Sequence, residues 1–159
     1  MIIKKENCCA VTGHRVLGGD FDEIKLKKVF EKLIGNGFDT FLIGMAVGFD
    51  TACFNVLEDL RKKHGNIRLI ACIPCVTQSY KFTVRQKEEY ERMLDSADFK
   101  VIISKEYTPT CMFKRNMYMV DNSVTVVAYL KKDVSSGGTV NTVKYAQKKG
   151  IPIINIAEL

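Results

Sequence analysis

The run Val124-Thr125-Val126-Val127-Ala128-Tyr129-Leu130 leads through Ser135-Ser136-Gly137-Gly138-Thr139 into Val140-Asn141-Thr142-Val143-Lys144-Tyr145-Ala146-Gln147-Lys148-Lys149. The first segment is continuously apolar and of strand length. The last reads as a helix that stops at Gly150. Between them, a turn of small residues leaves backbone N–H groups uncovered at the positive end of a helix dipole. That is a general way to hold an anion, most often a phosphate. A tight connection in which glycine only supplies positive φ uses the same residues, so the turn alone leaves both readings open.

The rest of the chain repeats the strand–turn–helix pattern. Asn7 to Thr12 is a short apolar strand broken by Gly13-His14-Arg15, and Asp20 or Asp22 is a candidate cap for a helix over Phe21 to Ile34. Asp39 to Ile43 is a second strand. Gly44-Met45-Ala46-Val47-Gly48-Phe49-Asp50 turns it into a helix with Cys53, Val56, Leu57 and Leu60 facing inward. Ile67 to Ile73 is a third strand closed by Pro74, followed by a helix between Gln78 and Ala97 that packs through Tyr90, Met93 and Leu94. Phe99 to Ser104, a helix over Cys111 to Asp121, and a final strand over Ile151 to Ile156 complete the series. There is neither a repeat nor a linker. Near-continuous apolar strands alternating with helices predict one Rossmann-like three-layer α/β domain over residues 1–159, with a mostly parallel sheet of about six strands.

Composition narrows the function classes. The 159 residues are 47% hydrophobic and 26% charged, as in an ordinary globular domain. No apolar run has membrane-spanning length, and Met1 to Glu6 lacks a signal-peptide core, so cytoplasmic residence without membrane contact is expected. Most of the six cysteines fall in apolar strand or helix patterns that suit buried free thiols. Cys72-Ile73-Pro74-Cys75 has no second pair or well-spaced histidines for a metal, and it closes a strand instead of opening a helix as a redox motif would. No metal site is therefore expected. The net charge of +6 admits an anionic ligand. The lysines are spread over helix faces beside acidic residues, with no concentrated basic stripe carrying interleaved aromatics, so nucleic acid is not the expected partner.

In parallel sheets, ligands bind at the C-terminal strand ends, near a switch in strand order. The unusual residues gather there: Thr12-Gly13-His14-Arg15, the Gly44–Asp50 turn, the Pro74–Gln78 segment, Arg115-Asn116, and Gly137-Gly138-Thr139. Arg15 and Arg115 suit bidentate phosphate binding or surface ion pairs. His14 suits acid–base chemistry, a ribose hydrogen bond or a structural one. Asp50 suits a ribose hydroxyl or a helix cap. Gly13, Gly44 and Gly48 allow close approach of a ligand to the backbone or simply form turns. Asn116 and Asp121 brace their neighbours or take part in the site.

These residues also carry a resemblance. Thr12-Gly13-His14-Arg15, Gly44-Met45-Ala46-x-Gly48-x-Asp50, Arg115-Asn116-x-x-Met119-Val120-Asp121-x-Ser123 and Gly137-Gly138-Thr139 resemble the YpsA-type, DUF1273 family of the SLOG superfamily. That superfamily also holds the LOG cytokinin-activating enzymes and the DNA-processing protein A fold. The resemblance covers essentially the whole chain. It implies a Rossmann-like fold and a nucleotide-derived, ADP-ribose-like ligand beside the glycine turn, with no settled activity. For Gln78, the glutamine after the proline, it implies a role in reading a base edge, and a plain polar residue at a helix start is the other reading.

Two function classes follow. A LOG-like hydrolase of nucleoside monophosphates carries a catalytic glutamate after its glycine turn, where this chain has Asn141 and Thr142. Asparagine neither takes up a proton nor carries negative charge to an oxocarbenium-like centre. Asp50 and Asp121 are the carboxylates that could approach from other turns. A binding module that senses a nucleotide, and signals through a protein partner or a second copy, needs only the phosphate cradle and the arginines. The second is the expectation carried forward, and DNA binding is the third class.

Overall fold

Each expected strand is present, and all lie in one sheet. The computed structural model describes residues 3–159; Met1 and Ile2, the start of the N-terminal segment read above, lie outside it. The strands are β1 (Cys8–Gly13), β2 (Thr40–Ile43), β3 (Arg68–Cys75), β4 (Phe99–Ser104), β5 (Thr125–Tyr129) and β6 (Ile153–Asn155). Every neighbouring pair is parallel, in the order β4-β3-β2-β1-β5-β6. The connecting helices are α1 (Glu23–Gly35), α2 (Phe49–Lys63), α3 (Val84–Ser96), α4 (Cys111–Asp121) and α5 (Gly138–Lys148).

Alternation along the strands builds a core on each face. Cys9, Val11, Phe41, Ile43, Leu69, Ala71 and Val127 point to one face and meet Leu26, Phe30, Phe54, Leu57, Tyr90 and Met93 from α1, α2 and α3. Cys8, Ala10, Leu42, Ile70, Cys72 and Val126 point to the other and meet Met119, Val120 and Ala146 from α4 and α5. The chain moves outward from β1 to β4 with its helices on one face, then returns to β5 with its helices on the other. Keeping one crossover hand while reversing direction requires this change of face. The reversal opens a crevice between the C-terminal ends of β1 and β5.

Local chemistry sets the element ends. Asp22 Oδ1 accepts from the backbone N–H of Ile24 (2.9 Å) and Lys25 (3.3 Å), capping α1. Thr83 and Gln86 form a reciprocal capping box at the start of α3. The third helix therefore begins after Thr83 and not near Gln78, and residues 76–82 form a run of turns. Strand β3 continues through Pro74 to pair Cys75 with Ser104. The Arg68 amide donates to Asp39 O on the β2 side, and alternation places Pro74 on that same side. Because β2 ends at Ile43, opposite Ala71, the missing N–H of Pro74 removes no ladder bond.

Strand β6 is shorter than the Ile151–Ile156 run. Asn155 caps the backbone of Ala157 and turns the chain into a 3-10 segment, while its amide exchanges two hydrogen bonds with the backbone of Leu130. Strand β4, at the sheet edge, leaves Phe99, Lys100 and Ile102 exposed. Its apolar run reads like a buried strand because sequence does not say which strand lies outermost.

Candidate functional site

The crevice holds a cleft of about 380 Å3 lined by Thr12, Gly13, His14, Arg15, Asp50, Arg115, Asn116, Gly137, Gly138 and Thr139, ten of the thirteen candidate residues. Its floor is the N-terminus of α5. Helix α5 begins at Gly138, two residues earlier than the apolar pattern suggests, so Gly138 and Thr139 lie in its first turn with Gly137 as the cap. Gly137 has φ +115°, a conformation reserved for glycine. Apart from chain neighbours and, at Gly138, the backbone of its own helix, no heavy atom lies within 4 Å of where a side chain would start at Gly137 or Gly138. Protein packing thus does not account for glycine at Gly138, where a helix would gain from alanine. The space there is open to the cleft.

At Gly13, Gly44 and Gly48, protein atoms make the close approach. A side chain at Gly13 would meet the Phe49 ring at 2.4 Å, and one at Gly48 would meet the backbone oxygen of Arg15 at 2.2 Å. Gly48 also has φ +83°. It lets the β2–α2 turn pass directly under the β1–α1 turn, and Gly44 and Gly48 lie outside the lining of this cleft. At Gly44 the would-be side chain lies 2.7 Å from the Arg115 guanidinium carbon and 2.9 Å from Asp50 Oδ2. Both approach the position where a Gly44 side chain would start, so the cation and the carboxylate sit within roughly 6 Å of each other.

Arg115 is only 5% exposed. Its Nη1 donates to Gly44 O and to Cys72 O (3.2 Å), and its Nε donates to Asn116 Oδ1 at 2.7 Å. Nη2 makes no hydrogen bond among the described residues, and Arg115 takes part in none of the ion pairs found there. A buried guanidinium that lines a cleft and keeps a nitrogen unbonded has the donor geometry that suits an anion. Burial lowers its pKa, with Asp50 opposing that shift.

Asp50 Oδ2 accepts from the Ala46 N–H at 3.1 Å. Burial pushes its carboxyl up to about 6, with Arg115 and the Ala46 bond pulling the other way. Asp50 is the one carboxylate lining this cleft among the described residues. Met45, just before Ala46, holds φ +63° although it is not glycine; that geometry belongs to the turn that places the Ala46 N–H.

Other candidates are tied to the scaffold. His14 Nε2 accepts from the Lys131 N–H at 3.0 Å, which places its own proton on Nδ1 and fastens the β5–α5 loop to the β1–α1 loop. Burial, and then Lys131, lower its pKa. Gln78 donates through Nε2 to Gly44 O (2.8 Å) and accepts at Oε1 from Tyr90 (3.0 Å). One donor of Nε2 and one lone pair of Oε1 are thus bound within the protein, and each end of the amide keeps one further site. Asn116 orients Arg115. Asp121 lies at the far end of α4, where it accepts from Tyr145 at 2.8 Å; it does not approach the cleft. Asn141 is exposed and outside the lining, and Thr142 Oγ1 donates back to Gly138 O.

All six cysteines are buried and free. Cys72 and Cys75, three apart on one strand, point to opposite faces. Burial raises the Cys8 thiol to about 11 and the Cys72 thiol to about 12, so neither is a thiolate near neutral pH.

Of the candidates, Arg15, Gln78 and Arg115 line a second lobe whose other residues sequence reasoning missed. A hollow of about 590 Å3 adjoins the first and shares Arg15, Ala46, Met112 and Arg115 with it. Tyr80 and Tyr107, which line it, are 75% and 64% exposed. They come from the turn after β3 and the loop after β4, and Arg15 and Lys81 stand beside them. The two tyrosines, 27 positions apart, come to one hollow only when β3 and β4 pair, and Arg15 reaches it from the turn after β1. The sole signal in the sequence is the presence of tyrosine in two polar loops.

The YpsA family model, described as the YspA SLOG family, matches residues 22–158, and the chain belongs to that family. The Uncharacterized SPbeta prophage-derived protein YoqJ of Bacillus subtilis is 38% identical over 138 residues, covering 78% of this chain and 79% of its own. UPF0398 protein BH1768 of Halalkalibacterium halodurans is 27% identical over 114 residues, covering 68% of this chain and 60% of its own. DNA processing protein A from Streptococcus pneumoniae superposes with TM-score 0.64 at 17% identity, over 94% of this chain and 50% of its own. The Helicobacter pylori protein of that name, solved for its single-stranded DNA binding mode, gives 0.65 at 20%, over 94% and 64%. At these identities the structural likeness shows the fold. This chain spans half to about two thirds of those two proteins. No helix among the described residues is long and apolar enough to cross a membrane.

Proposed function

We propose that this SLOG-family chain binds the phosphate of a nucleotide or nucleotide derivative, ADP-ribose among them, at the N-terminus of α5. We further propose that it acts in the cytoplasm as a sensor or regulatory module. The observation that carries the reading is the pairing of an open glycine-capped helix terminus with the buried Arg115, which lines the same cleft and whose Nη2 has no hydrogen bond among the described residues. Each supplies what a phosphate needs, N–H donors and a fork-shaped cation, and their convergence is what a plain strand-to-helix connection does not require. Arg15, exposed at the rim, adds a second guanidinium. Readout passes to a protein partner or a second copy of the chain.

The test is a thermal-shift panel with AMP, ADP, ADP-ribose and NAD. At about 1 mM, a ligand with Kd near 10 μM adds about 2.7 kcal/mol to the native state. That raises the melting temperature of a chain this size by roughly 5–10 °C. No shift with any of them at millimolar concentration refutes the reading.

Two alternatives each have one supporting observation. For glycosidic hydrolysis it is Asp50, a cleft carboxyl whose pKa of about 6 suits a general acid; Asn141 does not supply that group. Release of adenine from AMP, abolished by Asp50→Asn, would establish it. For single-stranded DNA, an expectation the sequence sets aside, it is the second lobe with its exposed tyrosines beside Arg15 and Lys81. The DNA binding of the Helicobacter pylori relative in fold keeps that partner in view.

A further inference from the structure

The phosphate reading uses only the smaller lobe. We propose that the larger lobe is a base subsite: an aromatic nucleobase stacks on Tyr80 and Tyr107 while the phosphate of the same nucleotide lies against Gly137, Gly138 and Arg115. The inference rests on the phosphate reading and adds the part of the ligand it leaves unplaced.

Continuity is the first argument. The lobes share four residues, and Arg15, whose Nη2 donates to Met112 Sδ at 3.5 Å, lies on the boundary between them. That contact is weak and exposed, and an arriving ligand can displace it. Size is the second. About 590 Å3 far exceeds a phosphate and falls in the range that holds a whole organic ligand.

Third, the two tyrosines are unlike the hydrogen-bonded ones. Tyr90, Tyr129 and Tyr145 each direct a hydroxyl to a partner, Gln78, Asp20 and Asp121 respectively. The hydroxyls of Tyr80 and Tyr107 have no hydrogen bond among the described residues, and both rings stand in water at the mouth of a hollow. Such rings gain from a stacked base, by roughly 5- to 150-fold in affinity per base, with little regard to which base it is. Polar groups for a base edge come from Thr77 and Gln86, whose Oε1 caps Thr83 and leaves Nε2 unbonded among the described residues. Lys81, on the Tyr80 turn, faces the same space and suits a further phosphate. The ligand is thus a phosphorylated nucleoside, whether free in solution or as a unit of a single strand.

Titration calorimetry separates the outcomes, using ribose 5-phosphate, AMP and a single-stranded oligonucleotide against three proteins. These are the unaltered chain, Tyr80→Ala with Tyr107→Ala, and Tyr80→Phe with Tyr107→Phe. Both positions are solvent-exposed, so all three should melt alike. AMP is expected to bind at least about tenfold more tightly than ribose 5-phosphate. The alanine pair should weaken AMP by about 10- to 100-fold while leaving ribose 5-phosphate within about twofold, and the phenylalanine pair should keep AMP binding. Equal binding of the two ligands, or indifference to the alanine pair, overturns the base subsite and leaves the phosphate reading standing. Binding of none of the three overturns both.

If the oligonucleotide binds more tightly than AMP, with a steep salt dependence, the source is a nucleic acid strand; otherwise it is a free nucleotide. Should only the oligonucleotide bind, its loss in the alanine pair supports the subsite and its retention overturns it.

Discussion

Replacing Arg115 with methionine should destabilise the protein far more at pH 8 than at pH 5. The guanidinium and the Asp50 carboxylate lie within roughly 6 Å of each other beside Gly44. At that distance and an effective dielectric of about 20, their attraction is about 3 kcal/mol, near two pKa units. The folded-state pKa of Asp50, about 6, already lies above that of an unfolded aspartate. Between those values the native state binds the extra proton, so stability falls as pH rises towards 6 and levels off above it. Without Arg115 the carboxyl stays protonated to a higher pH, and the fall continues further. The lost bond to Cys72 O adds a cost that does not vary with pH.

Urea denaturation of both proteins at pH 5 and pH 8 should therefore show a destabilisation that grows by about 2–3 kcal/mol between them. His14, whose pKa is lowered, titrates with the opposite sign. For that reason the difference between the two proteins is read, and neither curve alone. In an Asp50→Asn background the growth should vanish. A destabilisation equal at both pH values would refute the coupling of Arg115 to Asp50.

Further outcomes follow from the glycines and from His14. Gly137→Ala forces a side chain into φ +115° and should cost about 1–3 kcal/mol in chemical denaturation. Gly138→Ala sits in an ordinary helical conformation with open space, so it should keep or raise stability by up to about 1 kcal/mol. It should nevertheless weaken phosphate binding by calorimetry, because its methyl group fills the cradle. Gly48→Ala would place a carbon 2.2 Å from Arg15 O in a positive-φ position. A loss above about 2 kcal/mol is expected, with a melting curve as the check. His14→Ala removes the acceptor for the Lys131 amide, and hydrogen exchange at that amide should accelerate while strand β5 stays protected.

Much of the fold is legible because periodicity reports burial. Cys53, Val56, Leu57 and Leu60 face the core as their helical spacing requires, and Asp22 caps where its position before an apolar stripe suggests. The start of α3 was less legible, since Gln78 is polar like a cap but is bound to Gly44 O and Tyr90 instead. The grouping of the site was legible for a topological reason. Turns after parallel strands meet at one edge, so Thr12, Arg15, Asp50, Arg115 and Gly137 converge whatever their separation in the chain. Roles were harder. Whether Gly44 serves a ligand or Arg115 depends on a side chain 71 positions away, and no local pattern encodes that. The Tyr80–Tyr107 lobe escaped for the same reason.

The central claim is that a nucleotide's phosphate is held by the amides at the start of α5. Backbone amide NMR shifts during titration with AMP test it most directly. The account predicts saturable shifts concentrated at Gly137, Gly138 and Thr139, with the Arg115 Nε–H signal moving in parallel. Saturation with those four signals unmoved would contradict it.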